Sequence, residues 1–142
     1  MPACCTVGVA ISRSSLLTTA LMTALAAVGG CASTHGKLAK SAEKLQHNAS
    51  VLGRNTLNSN FGSDPQGYAR DAQSLSEDTH RFRETLSETS PDKPEVKAAF
   101  ERLSQSYQTL RDEVEQSDSH EARKDMKRIT EAYLDVEHKI GG

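Results

Sequence analysis

The chain is predicted to be all-α, an antiparallel four-helix bundle behind an N-terminal leader, on three observations. Four stretches carry apolar or small residues at alternating steps of four and three, clusters of Pro, Gly and Asn separate them, and no cysteine lies beyond position 31 to cross-link another architecture. Alternating steps of four and three keep one face of a helix apolar, and such faces pack helix against helix at a shallow crossing angle.

The leader comes first. Met1 to Ser15 is a polar lead with Arg13 as its positive charge, and Leu16 to Val28 (LLTTALMTALAAV) is an apolar run of 13 residues. A permanent membrane-spanning helix needs roughly 20 residues. The run instead has the length of the apolar region of a secretory leader. It ends in Val28-Gly29-Gly30-Cys31.

These four residues resemble the lipobox of bacterial lipoproteins: an aliphatic residue, two small residues that let a peptidase approach the backbone, and the cysteine. The resemblance implies a signal peptide over residues 1–30, recognised by its peptidase at Val28, Gly29 and Gly30 and cut before Cys31. It further implies that the Cys31 thiolate takes up a diacylglyceryl group and that the cysteine ends with three acyl chains. Each buried methylene contributes about 0.8 kcal/mol and two chains already hold stably, so this anchor would be permanent. The residue after the cysteine is Ala32 and not the Asp that retains lipoproteins at the inner membrane. The expected location is therefore the periplasmic face of the outer membrane, with the membrane engaged through lipid on Cys31. An ordinary secretory leader, its cysteine unlipidated, would use the same apolar run.

Processing would leave a domain without thiols. Cys4 and Cys5 lie in the leader and Cys31 is consumed by lipid, so no disulfide, thiolate metal site or cysteine nucleophile remains. Arg13 leaves with the leader, and 16 Lys and Arg then face 19 Asp and Glu. That balance gives no electrostatic reason to expect nucleic acid.

Residues 31–36 are expected to form a short lipidated tether, and residues 37–142 the bundle, with helices over about 37–53, 66–88, 93–116 and 120–140. The first stripe is Leu38, Ala42, Leu45, Ala49 and Leu52; the second is Tyr68, Ala72, Leu75, Thr79, Phe82 and Leu86. Val96, Phe100, Leu103, Tyr107, Leu110 and Val114 make the third, and Ala122, Met126, Ile129, Tyr133, Val136 and Ile140 the fourth. Small neighbours such as Ser41, Ala69, Ser76, Ser104 and Ala132 let helices approach closely, and the charges are read as solvated outer faces.

The connections follow from local chemistry. Residues 54–66 (RNTLNSNFGSDPQ) read as a long loop in which Leu57 and Phe61 fold back over the bundle end. Ser90-Pro91-Asp92-Lys93-Pro94 breaks helices two and three apart, and Ser119 is the expected N-cap of helix four. Short links make helices two, three and four antiparallel neighbours. The same stripes would also pair between two chains, so the sequence leaves the oligomeric state open.

No catalytic constellation emerges. His47 and His138 fall on the outermost helix faces, His80 and His120 beside them, and His35 in the tether. Glu77 precedes His80 at the spacing used by di-metal bundles, but no second helix repeats it, so no metal site is expected. Ser90 to Lys97 (SPDKPEVK), after a helix pair with a long first loop, resembles the middle turn of the small periplasmic four-helix b-type cytochromes. That family implies the same bundle and a haem held between a Met on helix one and a His late in helix four. Helix one here has no Met, His138 projects outward, and Met126 sits early in helix four without an axial partner, so no cofactor is expected. The reading is a non-enzymatic, membrane-anchored cell-envelope lipoprotein with a protein-interaction, structural or stress-related role, its partner another envelope protein. The alternative is a periplasmic bundle that binds a small ligand or metal.

Overall fold

A computed structural model describes residues 31–58 and 64–141, without the side chains of residues 31–33 and 58. The leader with Val28, Gly29 and Gly30, the segment 59–63 that includes Phe61, and Gly142 lie outside the described residues. Four helices follow one another: α1 (Cys31–Asn58), α2 (Pro65–Glu88), α3 (Pro94–Gln116) and α4 (His120–Gly141). Among the described residues there is no strand.

The four stripes supply the core. Leu38, Leu45, Leu52, Leu75, Phe82, Leu103, Leu110, Ile129 and Val136 are fully buried, and Phe100 and Ile140 pack against them partly covered. Each large side chain so buried stabilises by roughly 1.5–3 kcal/mol before conformational entropy is subtracted. The helices form a ring in which α1 packs on α2 and α4, α2 on α3, and α3 on α4, and among the described residues no backbone approach spans either diagonal. Every neighbouring pair is antiparallel: His35 of α1 meets Leu86 of α2, Asp78 of α2 meets Ser106 of α3, Asn55 of α1 meets Asp125 of α4, and Ser104 and Tyr107 of α3 meet Tyr133 and Thr130 of α4 in reverse order. Helices α1 and α2 are therefore neighbours in the ring.

The helix starts match their chemistry. Asp64 caps α2 by accepting from Gly67 N at 2.9 Å, with Pro65 in the first turn where its missing N–H costs nothing. A side chain at Gly67 would collide with that carboxylate, its Cβ only 2.6 Å from Asp64 Oδ2. Pro94 opens α3 in the same way. Ser119 caps α4 as expected, accepting from Ala122 N at 3.2 Å.

Helix α1 departs from expectation at both ends. The predicted tether at 31–36 is already helical backbone, and the predicted loop at 54–66 is helical as far as Asn58. The stripe explains the second extension. Thr56 lies four residues after Leu52, is fully buried, and donates to Gly53 O at 2.8 Å, which removes the cost of its hydroxyl. Leu57 does not fold back over the bundle end but stands 67% exposed.

The seams between helices are unequal. Between α1 and α2 the flanks are small: Gly53 faces Ala72 and Ala69, and Ser50 meets Ser76 at 2.9 Å, so this seam is the closest. Between α3 and α4 the backbones are furthest apart, and aromatic rings fill the space. Tyr107 stacks on Tyr133 with ring centres 4.0 Å apart and planes within 3°, Phe100 stacks on Tyr133 at 5.9 Å, and Phe82 leans on Phe100 at 5.9 Å. The phenol hydroxyls stay bonded, Tyr107 to Thr130 at 3.1 Å and Tyr133 to Ser104 at 3.0 Å.

Two substitutions test this packing by urea unfolding followed in the far ultraviolet. Phe82→Ala, which empties the largest fully buried site, is expected to lower stability by about 3–5 kcal/mol. Gly53→Ala should raise it by roughly 0.5–1 kcal/mol, because a mid-helix glycine is entropically costly. A Cβ at that position would meet Ala72 at an ordinary 3.5 Å. A destabilising Gly53→Ala would show that the α1–α2 seam is tighter than described.

Candidate functional site

The one residue to which the sequence assigns chemistry, Cys31, is the first described residue and lies in α1. One helical turn later, His35 Nε2 lies 2.6 Å from Leu86 O, in the last turn of α2. Carbonyls there have no donor within their own helix, and the ring N–H supplies one. Sequence placed His35 in a tether, so this cap was not foreseen. His35, Gly36, Leu86 and the chain to Pro91 line an open groove of about 480 Å³ at this end of the bundle.

A second clasp joins the same part of α1 to the end of α4. Ser41, almost fully buried, donates to Asp135 and accepts from Lys139 Nζ at 2.7 Å, while Lys139 also pairs with Asp135. The bonds from Lys139 and Ser41 hold the Asp135 carboxyl below its ordinary range. A serine beside a lysine is one form of activated nucleophile, but this ammonium is ion-paired and this hydroxyl faces a carboxylate. The arrangement fastens two helix ends together.

The remaining histidines lie where the stripes place them. His47, His80, His120 and His138 are all exposed, and His80 pairs with Glu84 at 3.3 Å. Among the described residues no three His, Cys, Asp or Glu side chains converge to hold a metal ion. Met126 is buried in the core while His138 is exposed, so the two do not face one site. Among the described residues no helix is long and apolar enough to cross a membrane.

The carboxylates at the seams depart from the expected solvated faces. Asp71 and Asp125 are buried, and Asp78 is largely covered by Ser106 and Arg81. Asp125 accepts from Asn55 at 2.9 Å and faces Arg128 at 3.4 Å. Each precedes or flanks a stripe residue, a position from which a short acidic side chain reaches the neighbouring helix. That signal was present in the spacing but is indistinguishable from a solvated charge without the partner helix.

At the α2–α3 seam, Asp71 and Glu113 share Arg70, at 3.0 Å and 3.9 Å. Glu113 Oε2 is buried without a hydrogen-bond partner. Partial burial and the neighbouring Asp71 push the Glu113 carboxyl above its ordinary range. Burial likewise raises the Tyr133 phenol, which stays protonated in the aromatic stack. Compared with protein-family profiles, with curated proteins and with solved structures, the chain matches none.

Glu113 gives a pH-dependent expectation. A carboxyl raised on folding binds its proton more tightly in the folded chain, so its contribution favours folding in acid and is lost as pH rises through the folded value. Glu113→Gln should therefore stabilise the bundle at neutral pH, by about 1 kcal/mol or less because the side chain is 36% exposed. The gain should fade below the ordinary glutamate range. Urea unfolding of both proteins across acid and neutral pH measures this, and a gain that persists unchanged in acid would rule out the carboxyl as its source.

Proposed function

We propose that the chain is a membrane-anchored cell-envelope lipoprotein, cut before Cys31 and held by lipid on that residue at the periplasmic face of the outer membrane. The observation that carries this reading is Val28-Gly29-Gly30-Cys31 at the end of a 13-residue apolar run. The chain's role is non-enzymatic and lies in contacts between the bundle surface and another envelope protein. The filled interior, closed at its widest seam by Phe100, Tyr107 and Tyr133, weighs toward a surface role and away from a ligand held between the helices.

Labelling cells with palmitate and fractionating their membranes tests the anchor. The wild-type chain is expected to incorporate label and sediment with outer membranes, and Cys31→Ser to lose both. Label and location unchanged in Cys31→Ser would refute the reading. Absorption and metal analysis of the purified protein tests the rest, since stoichiometric haem or metal would replace a surface role with a cofactor-binding one.

A further inference from the structure

Charge is unevenly shared among the helices. α1 carries four basic residues, Lys37, Lys40, Lys44 and Arg54, against the single acid Glu43. The rest of the chain beyond it carries 12 Lys and Arg against 18 Asp and Glu. α2 and α3 each hold three basic residues against five acidic ones, and α4 holds five of each, so α1 is the basic helix of the four.

The four cations also share one face. With Leu38, Ala42, Leu45, Ala49, Leu52 and Thr56 turned to the core, steps of three and four from Lys37 run through Lys40, Lys44, His47, Val51 and Arg54. These positions lie opposite the core face of α1, with Lys44 on the flank toward Asp135 of α4 and Arg54 bordering a groove shared with Ala69 and Gln73 of α2. Lys37, Lys40, Lys44, His47 and Arg54 are exposed. Among the described residues no carboxylate lies within ion-pair distance of any of the four α1 cations, whereas half of the 12 beyond α1 are paired, Arg70, Arg81, Arg111, Lys124, Arg128 and Lys139. The stripe begins about two turns after Cys31 and spans 18 residues, about 26 Å of helix.

We propose that this basic stripe of α1 is a docking surface for anionic phospholipid headgroups, so that the anchored bundle lies on α1 with α3 turned away from the membrane. The proposal rests on the lipidation of Cys31. Charge complementarity selects an anionic surface, and continuity with the anchor selects lipid, because a headgroup layer is what the first turns of α1 meet. An acyl anchor and a basic patch reinforce one another in this way. Each lysine beside an anionic bilayer strengthens binding roughly fivefold.

The absence of thiols after processing makes the test clean, since one introduced cysteine is then the only labelling site. His47→Cys lies on the stripe, and Gln105→Cys lies exposed on α3, diagonal to α1 and near the same height, because Ser106 meets Asp78 and Ser76 meets Ser50. The lipidated protein carrying a fluorophore at either position is bound to vesicles of phosphatidylglycerol and phosphatidylethanolamine that contain nitroxide-labelled lipid. The label at position 47 is expected to lose most of its emission and the label at 105 little. In uncharged phosphatidylcholine vesicles, or after Lys37→Gln, Lys40→Gln, Lys44→Gln and Arg54→Gln together, the difference should disappear.

Equal quenching at the two positions would mean an upright bundle and would overturn the proposal. So would stronger quenching at 105, which would leave the stripe facing an acidic protein. A difference that survives neutralisation of the stripe also overturns it. Flotation with uncharged vesicles reads the acyl anchor alone, and its failure would sink the lipidation reading. Flotation with anionic vesicles still reads the stripe in that event, as a loss of about fivefold in binding for each lysine replaced.

Discussion

Everything in this bundle depends on burying four apolar stripes against one another, because nothing covalent assists. No cysteine lies beyond Cys31, so the fold rests on packing and on the polar bonds at its seams. A domain of this size keeps only about 5–15 kcal/mol of net stability after conformational entropy is subtracted. The loss of one large buried ring is then a substantial fraction of the whole.

Apolar stripes alone do not fix a unique pairing, since any stripe can face any other. The seams supply what the core lacks. Ser41 with Asp135 and Lys139, Asn55 with Asp125, and Asp78 with Ser106 each join residues that meet in only one register of the ring. The unequal widths add to this: small residues between α1 and α2 would leave a void against α3, and the Tyr107–Tyr133 stack would clash in the α1–α2 seam. Packing shape and polar bonds thus favour the same arrangement, which is how a sequence narrows many possible bundles to one.

The stripes were legible because periodicity needs no knowledge of partners. They placed Leu38 through Leu52, Tyr68 through Leu86 and nearly all of the third and fourth sets in the core, and the capping serine at 119 was read from its position alone. The ends of α1 were not legible. Asn, Arg and Thr after Gly53 look like a loop, and only the buried contact of Thr56 with the rest of the bundle reveals that the stripe continues. His35 was misread for the same reason, since its hydrogen bond goes to a residue 51 positions away. The basic stripe escaped notice because summed charge over the whole chain conceals a helix of opposite sign. For Cys31 the sequence offers only the Val28-Gly29-Gly30-Cys31 motif, and Val28, Gly29 and Gly30 lie outside the described structure.

The aromatic stack between α3 and α4 also equips the chain with an optical reporter. There is no tryptophan, and the only intrinsic emitters above phenylalanine are three tyrosines. Two of these, Tyr107 and Tyr133, lie face to face at 4.0 Å in the widest seam, with their hydroxyls bonded to Thr130 and Ser104. Their absorption and near-ultraviolet dichroism are coupled through that contact, and parting of α3 from α4 would change both before the helices themselves unwound. Spectra of the unlabelled protein therefore follow the seam held by the fewest backbone approaches, without an added probe.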